Sequence, residues 1–550
     1  MTRLSPYFAS RAAVVLLAVL LSLPLLVVLG HVMIPTEGVW QHLVSTVLGD
    51  YVRESLALML GVAIGSLIIG VSTAWLTSMC QFPGRAWFEW ALLLPMAMPA
   101  YIIAYTYTGM LDFAGPFQTW LRAMTGWGYG DYWFPSIRSL GGAIVMLTLV
   151  LYPYVYLLSR AAFLNQSLCV LDVSRTLGNS PSSTFYRIAL PLARPAIIAG
   201  LSLVLMETLA DYGTVSYFGI NTFTTGIFRT WFGLGSAAAA AQLAALLMVF
   251  ILVLLLLEKW SRKQAQYHHT SRRHQHLQRF KLNRKQALLA FVFCLSILTL
   301  GFLLPAYQLA VWSLGQLSQF ADPAFLTLIT NSLKLAAMTA LFAMMLAMLM
   351  TYSQRLFPQR SILASVRLVS MGYAIPGAVV AVGVMIPFAW LDTKIDDFTT
   401  SYLGFSTGLL LSGTLVALIF AYLVRFLAVS IQTMESGLGQ ISRSMDDAGR
   451  SLGQTPFMML RNIHMPMLKG SLLTALLLVF VDVLKELPAT LILRPFNFNT
   501  LAVKTYELAS DERLVEAAPS ALAIVAAGIL PVILLSYSIT RTRQLKSDAP

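Results

Sequence analysis

Long apolar stretches broken by short polar segments set the rhythm of this chain. Uncharged windows run over residues 12–30, 55–81, 91–110, 140–159 and 236–257, and again over 287–313, 335–352, 368–390, 401–424 and 517–537. Two further stretches, 196–206 and 471–493, start apolar and then meet acidic side chains at Glu207 and Asp482. At about 1.5 Å of rise per residue, a window of roughly 20 residues crosses the hydrocarbon core of a bilayer as a helix. The pattern predicts an all-α polytopic membrane protein with about twelve transmembrane helices, six in each half.

Composition agrees. Hydrophobic residues make up 57% of the chain and charged residues only 11%, with a mean hydropathy of +0.73. A soluble core cannot absorb that much apolar side chain, so lipid is the solvent for most of it. The net charge of +13 is then a question of membrane orientation rather than of nucleic acid, and no nucleic-acid partner is expected. Residues 259–285 carry nine Lys or Arg and no acid, which places them in the cytoplasm. Six spans counted from a cytoplasmic N-terminus end there too. His268, His269, His274 and His276 lie in this stretch and belong to a solvated basic linker near anionic headgroups. Arg3 and Arg11 precede a first window that is long for a signal peptide, so it is expected to remain as an uncleaved span. The tail with Arg541, Arg543 and Lys546 returns to the cytoplasm. Cys80, Cys169 and Cys294 fit neither a disulfide framework nor a zinc site.

The two halves repeat one another. Asp172-Val173-Ser174-Arg175-Thr176-Leu177-Gly178 and Asp447-Ala448-Gly449-Arg450-Ser451-Leu452-Gly453 are versions of one motif, displaced by 447 − 172 = 275 residues in a chain of 550. Each leads to Ile-x-Leu-Pro or Ile-x-Met-Pro, ending at Pro191 and Pro466. Phe82-Pro83-Gly84-Arg85 answers Phe357-Pro358-Gln359-Arg360, and Pro99 answers Pro376. The expected organisation is a first six-span repeat over 1–258, a basic linker over 259–286 and a second repeat over 287–550. An even number of spans gives both repeats one orientation, related by an axis along the membrane normal with a pathway between them. Within each motif, Gly178 or Gly453 suits the left-handed end of a short helix. Ser180-Pro181 or Thr455-Pro456 then suits the start of the next, as cap and first-turn proline. Span counting places both motifs in the cytoplasm.

The fifth and eleventh spans break the uncharged rule with Glu207 and Asp211 in one, and Asp482, Lys485 and Glu486 in the other. The repeat offset superposes Glu207 on Asp482 and Asp211 on Glu486, each pair four apart and so along one helix face. The first acid of each lies about 17 Å into its span, near mid-membrane. There a charge costs on the order of 2.5–3.5 kcal/mol by insertion scales, which makes a lipid-facing position unfavourable. Gly213 and Pro488 follow at equivalent places where a helix breaks or kinks. Interrupted helices at matching positions in two repeats point to a transport site. Two roles stay open for these acids: satisfying helix ends and pairing with Lys485, or lining a translocation path. Four carboxylates against one ammonium suit a cation, and carboxylate oxygens suit a hard metal ion held transiently by Glu207, Asp211, Asp482 and Glu486.

The paired motif resembles the cytoplasmic coupling element of inner-membrane permeases of binding-protein-dependent ABC importers. Asp172 and Asp447 stand where that family usually has glutamate. Val173-Ser174 and Ala448-Gly449 replace its alanines, and Met465 its leucine. The resemblance implies the type I importer permease fold, fused as two repeats. It implies coupling through Asp172, Arg175, Gly178, Pro191, Asp447, Arg450, Gly453 and Pro466, which would engage two copies of a cytoplasmic ABC ATPase. It also implies a periplasmic substrate-binding protein and a bacterial inner-membrane location, and the span count adds cytoplasmic termini. The dipeptide Gly-Lys does not occur, so no phosphate-binding Gly-x4-Gly-Lys loop is present. ATP and Mg are therefore expected on the partner ATPase, no cofactor on this chain, and the chain is a transport subunit rather than an enzyme. The segments 207–219 and 481–490, with Phe223, Thr225, Arg229 and Trp231 answered by Phe498, Thr500, Lys504 and Tyr506, resemble ferric-iron permeases. Permeases for thiamine, polyamines or phosphonates share much of this grammar. An ion-coupled secondary transporter would account for the acids and leave the paired motif unexplained.

Overall fold

A computed structural model describes residues 6–36, 38–128, 130–165, 181–263 and 279–547. Among the described residues, ten helices are long and apolar enough to cross a membrane, and two bent helix pairs bring the number to twelve when each pair counts as one span. In order they are Arg11–Met33, Leu48–Met79, the pair Arg85–Ala97 and Ala100–Thr125, Leu140–Leu164, Phe185–Ala210 and Ala237–Trp260. The second half gives Arg284–Leu314, Pro323–Leu356, Gly377–Leu403, Leu415–Gly439, the pair Pro456–Met467 and Lys469–Lys485, and Leu514–Ile533. The all-α, two-repeat polytopic plan read from hydropathy is the fold observed.

Three spans depart from their apolar windows for identifiable reasons. The third bends by 90° around a short segment containing Pro95 and Pro99, where proline removes helix donors. The ninth starts only at Gly377, after a break across Met371–Ile375. The tenth is displaced most: the window 401–424 gives way to a helix over Leu415–Gly439. Gly404, Gly408 and Gly413 all have positive φ, which turns 404–413 into a loop. Asp392 on the ninth span accepts the amides of Leu410, Leu411 and Ser412 at 2.7–3.2 Å. Asp396, one turn further along, accepts those of Thr407 and Gly408. Two carboxylates thus replace the helix bonds that the apolar window would have made.

The chain forms two compact units that interleave the sequence repeats. One comprises 1–37, 227–245 and 320–504; the other comprises 38–226, 246–319 and 505–550. Within the first, span 1 packs on span 9. Gly383 allows the approach, because a Cβ there would run into the backbone of Pro24. Within the second, span 7 packs on span 12 and on the third span, and Gly301 sits against Pro95 and the carbonyl of Leu149. The same unit holds the tight trio of spans 2, 4 and 5. Gly61 and Gly65 face Ile144 and Thr148, and Gly200 lies 2.8 Å, measured from a notional Cβ, from the Val155 backbone. Small residues at these crossings let backbones close on each other where lipid offers no hydrophobic drive.

The basic linker ends on the second unit. Phe280-Lys281 pairs in parallel with Cys80-Gln81, and Asn283 and Gln286 form a reciprocal capping box at the start of span 7. Its four histidines lie outside the described residues.

Candidate functional site

The second copy of the repeated motif folds as two short helices. Arg443–Ser451 comes first, and Gly453 at φ +75° ends it. Its amide donates to Arg450 O at 2.9 Å and that of Gln454 to Gly449 O at 3.0 Å, the paired closure expected of a left-handed glycine. Thr455 then caps the next helix through Met458 N at 3.3 Å, with Pro456 in the first turn. Gly449 faces inward against Met459, while Asp447 and Arg450 stay exposed as a 3.6 Å ion pair. Pro466 lies in the one-turn helix Met465–Met467 that leads into the eleventh span.

Around the polar pair lies an apolar surface that the sequence reading did not single out. Leu452 is 81% and Phe457 69% exposed, with Met458 and Met465 also exposed. Large apolar side chains displayed on a polar connector mark an interaction surface. Beneath them, Asp446 is buried and receives Arg355 and His464. Burial pushes its carboxyl upward, but the hydrogen bonds and charge supplied by Arg355 and His464 outweigh this and hold it below the ordinary carboxylate value. Asp172, Arg175 and Gly178 of the first copy lie outside the described residues. Pro191 sits in the first turn of the helix that continues the fifth span.

The fifth and eleventh spans share a second feature. The helix over Leu190–Ala210 stops, and a short helix restarts at Gly213. The helix over Lys469–Lys485 stops, and another restarts at Pro488. In each case the second acid bridges the gap. Asp211 accepts the amides of Thr214 and Val215, both at 3.1 Å, and the Thr214 hydroxyl at 3.0 Å. Glu486 accepts the amides of Ala489 and Thr490 at 3.0 and 3.1 Å and the Thr490 hydroxyl at 2.9 Å. Each carboxylate thus satisfies the unpaired donors of a helix start that lipid could not. Glu207 and Asp482, one turn earlier, are half-buried. Asp482 pairs with Lys485 at 2.9 Å. Among the described residues there is no group of three or more His, Cys, Asp or Glu placed to hold a metal ion.

Glu486 has a further partner. Arg425, ten residues into the tenth span and almost fully buried, places Nη1 3.3 Å from its carboxylate. The packing is close, since a Cβ on Gly377 would overlap the Glu486 carboxylate. The apolar window drawn at 401–424 stops one residue short of this arginine, which is why it escaped notice. Removing one partner of a buried pair costs about 3–5 kcal/mol. Arg425→Leu is therefore expected to lower the thermal unfolding temperature of the purified protein markedly, and an unchanged temperature would show that the pair carries no stability.

Comparison with known proteins identifies the family. The sequence model of the family described as binding-protein-dependent transport system inner membrane component matches residues 66–265 and again 341–544. The Fe(3+)-transport system permease protein FbpB 2 of Haemophilus influenzae is 27% identical over 496 residues, covering 89% of this chain and 90% of that protein. The molybdenum transport system permease protein ModB of Escherichia coli is 28% identical over 189 residues, 34% of this chain and 76% of its own length. A probable sulfate transport system permease, cysT of Nephroselmis olivacea, is 26% identical over 148 residues, 27% of this chain and 49% of its own. The chain is a multi-pass inner-membrane transport subunit that belongs to the binding-protein-dependent ABC importer permeases, with both repeats of the family fused in one polypeptide.

Proposed function

We propose that this permease imports ferric iron delivered by a periplasmic binding protein, powered by two copies of a separate cytoplasmic ABC ATPase. The observation that carries the energy source is the element over 443–467, where exposed Leu452 and Phe457 surround the Asp447–Arg450 pair. A surface of that kind needs a partner, and an ATPase cleft is the partner the family supplies. Asp172, Arg175, Gly178 and Pro191 would serve the second ATPase copy. ATP and Mg would reside on those subunits and no cofactor on this chain. Both termini would be cytoplasmic.

The cargo assignment rests on charge and on the relative from Haemophilus influenzae that spans nearly the whole chain, whose name specifies Fe(3+) transport. With Asp211 and Glu486 engaged in capping, Glu207 and Asp482 are the carboxylates best placed to meet cargo. Carboxylates favour a hard cation over an anion. Gly213 and Pro488 mark the breaks about which the two spans would turn their acidic faces from one side of the membrane to the other, with Lys485 holding Asp482 in place between passages. ATP-driven uptake of iron from the loaded binding protein should be unaffected by excess thiamine, polyamine or phosphonate. Competition by any of these would reassign the cargo.

A further inference from the structure

Tyr352 and Arg355 of the eighth span, with Asp446 and His464, bind the second copy of the repeated motif to that span. Arg355, near the end of the Pro323–Leu356 helix, places Nε 2.8 Å from Asp446 Oδ2 and Nη2 3.0 Å from Oδ1. This two-point fork is the strongest and most directional pairing available to an arginine. The same guanidinium donates to Leu438 O at 2.6 Å and to Ile441 O at 3.0 Å, so it also closes the carbonyl end of the tenth span, where a cation is favoured. His464, fully buried, donates from Nε2 to Asp446 Oδ1 at 2.8 Å. Tyr352, one turn before Arg355, donates its hydroxyl to Pro456 O at 2.7 Å and sets its ring edge-on to His464. Leu438, Ile441 and Leu468 pack beneath, with Met348 and Leu472 against them.

One helix end therefore grips the tenth span, the Arg443–Ser451 helix and the helical segment over Pro456–Met467 that opens the eleventh span. The repeat offset makes the contrast plain. Subtracting 275 from 355, 446 and 464 gives Cys80, Leu171 and Ala189. The first repeat holds neither cation, carboxylate nor imidazole at those positions.

We infer that Arg355, Asp446 and His464 are positioning residues that key the second docking element rigidly to the eighth span, through side chains that the first repeat does not carry at the equivalent positions, so that displacement of the second element passes directly to its spans. Displacing the second element moves the eighth, tenth and eleventh spans together. The transmission part of this rests on the ATPase-docking role proposed above; the rigid joint does not.

Two measurements separate them. Hydrogen exchange on the full chain in lipid nanodiscs should show amides over 443–454 exchanging about tenfold or more faster in Asp446→Asn and in Arg355→Gln, while those of the second and fourth spans keep their rates. Asp446→Glu, which retains the carboxylate, should stay near the wild-type rate. Unchanged exchange over 443–454 in both neutral variants would overturn the joint, whether or not an ATPase binds there. In the complete importer, Asp446→Asn should keep ATP hydrolysis while cargo moved per ATP falls about fivefold or more. If transport and hydrolysis instead fell in proportion, the residue would be merely structural and the transmission role would be overturned. A wild-type chain that binds no ATPase would overturn the docking role, and transmission with it, while leaving the exchange result standing.

Discussion

Changing Gly178 and Gly453 together to proline is expected to abolish copurification of the permease with its ATPase. Gly453 holds φ at +75°, a left-handed value that proline, fixed near −65°, cannot reach. Proline also deletes the amide that donates to Arg450 O at 2.9 Å. The first helix would then run on or unravel, and Leu452 and Phe457 would lose their shared placement with Asp447 and Arg450. Gly453→Ala isolates the backbone contribution, because an added Cβ meets nothing within 4 Å. It should cost about 1–2 kcal/mol and weaken binding without eliminating it. Gly178 enters through the repeat, as the position equivalent to Gly453. Pull-down of the ATPase with the double proline variant is the check, and normal recovery would refute the docking role of both elements.

Replacing Glu207 by Gln and Asp482 by Asn should eliminate iron uptake while leaving ATPase binding intact. Both substitutions keep size and remove charge. They leave untouched the capping carboxylates of Asp211 and Glu486, on which the two helix breaks depend, so the spans should keep their shape. Asp482→Asn also removes the carboxylate 2.9 Å from Lys485, which makes the local charge less favourable to a cation. Asp211→Asn should behave differently, weakening the restart at Gly213 and lowering stability along with transport. Uptake of radioactive iron into cells or proteoliposomes distinguishes these cases, and wild-type uptake by the double variant would defeat the assignment of Glu207 and Asp482 to the cargo path.

Much of this architecture was legible because lipid imposes a simple rule: about twenty uncharged residues make a span. Windows such as 12–30 and 236–257 fell where the helices are, in the spans Arg11–Met33 and Ala237–Trp260. The rule failed where polar groups compete with the helix. Glycines at 404, 408 and 413 and the carboxylates of Asp392 and Asp396 moved the tenth span by more than a dozen residues, and no hydropathy window records a side chain reaching across a loop. The same displacement hid Arg425. The repeated motif announced itself through spacing, and the glycine turn followed from residue type. Asp446, although adjacent to Asp447, was invisible as a buried residue because its partners Arg355 and His464 are 91 and 18 positions away. A comparison of the two repeats would have flagged it, since Leu171 stands opposite Asp446. The exchange of first spans between the compact units leaves no trace in periodicity.

The most direct test places the purified chain, its ATPase and its binding protein together in liposomes and follows ferric iron. Accumulation should require ATP on the side of the ATPase and iron on the loaded binding protein, and ion gradients alone should drive none. Gradient-driven uptake by the permease alone, without ATP, would contradict an ATP-driven importer and make the chain a secondary transporter.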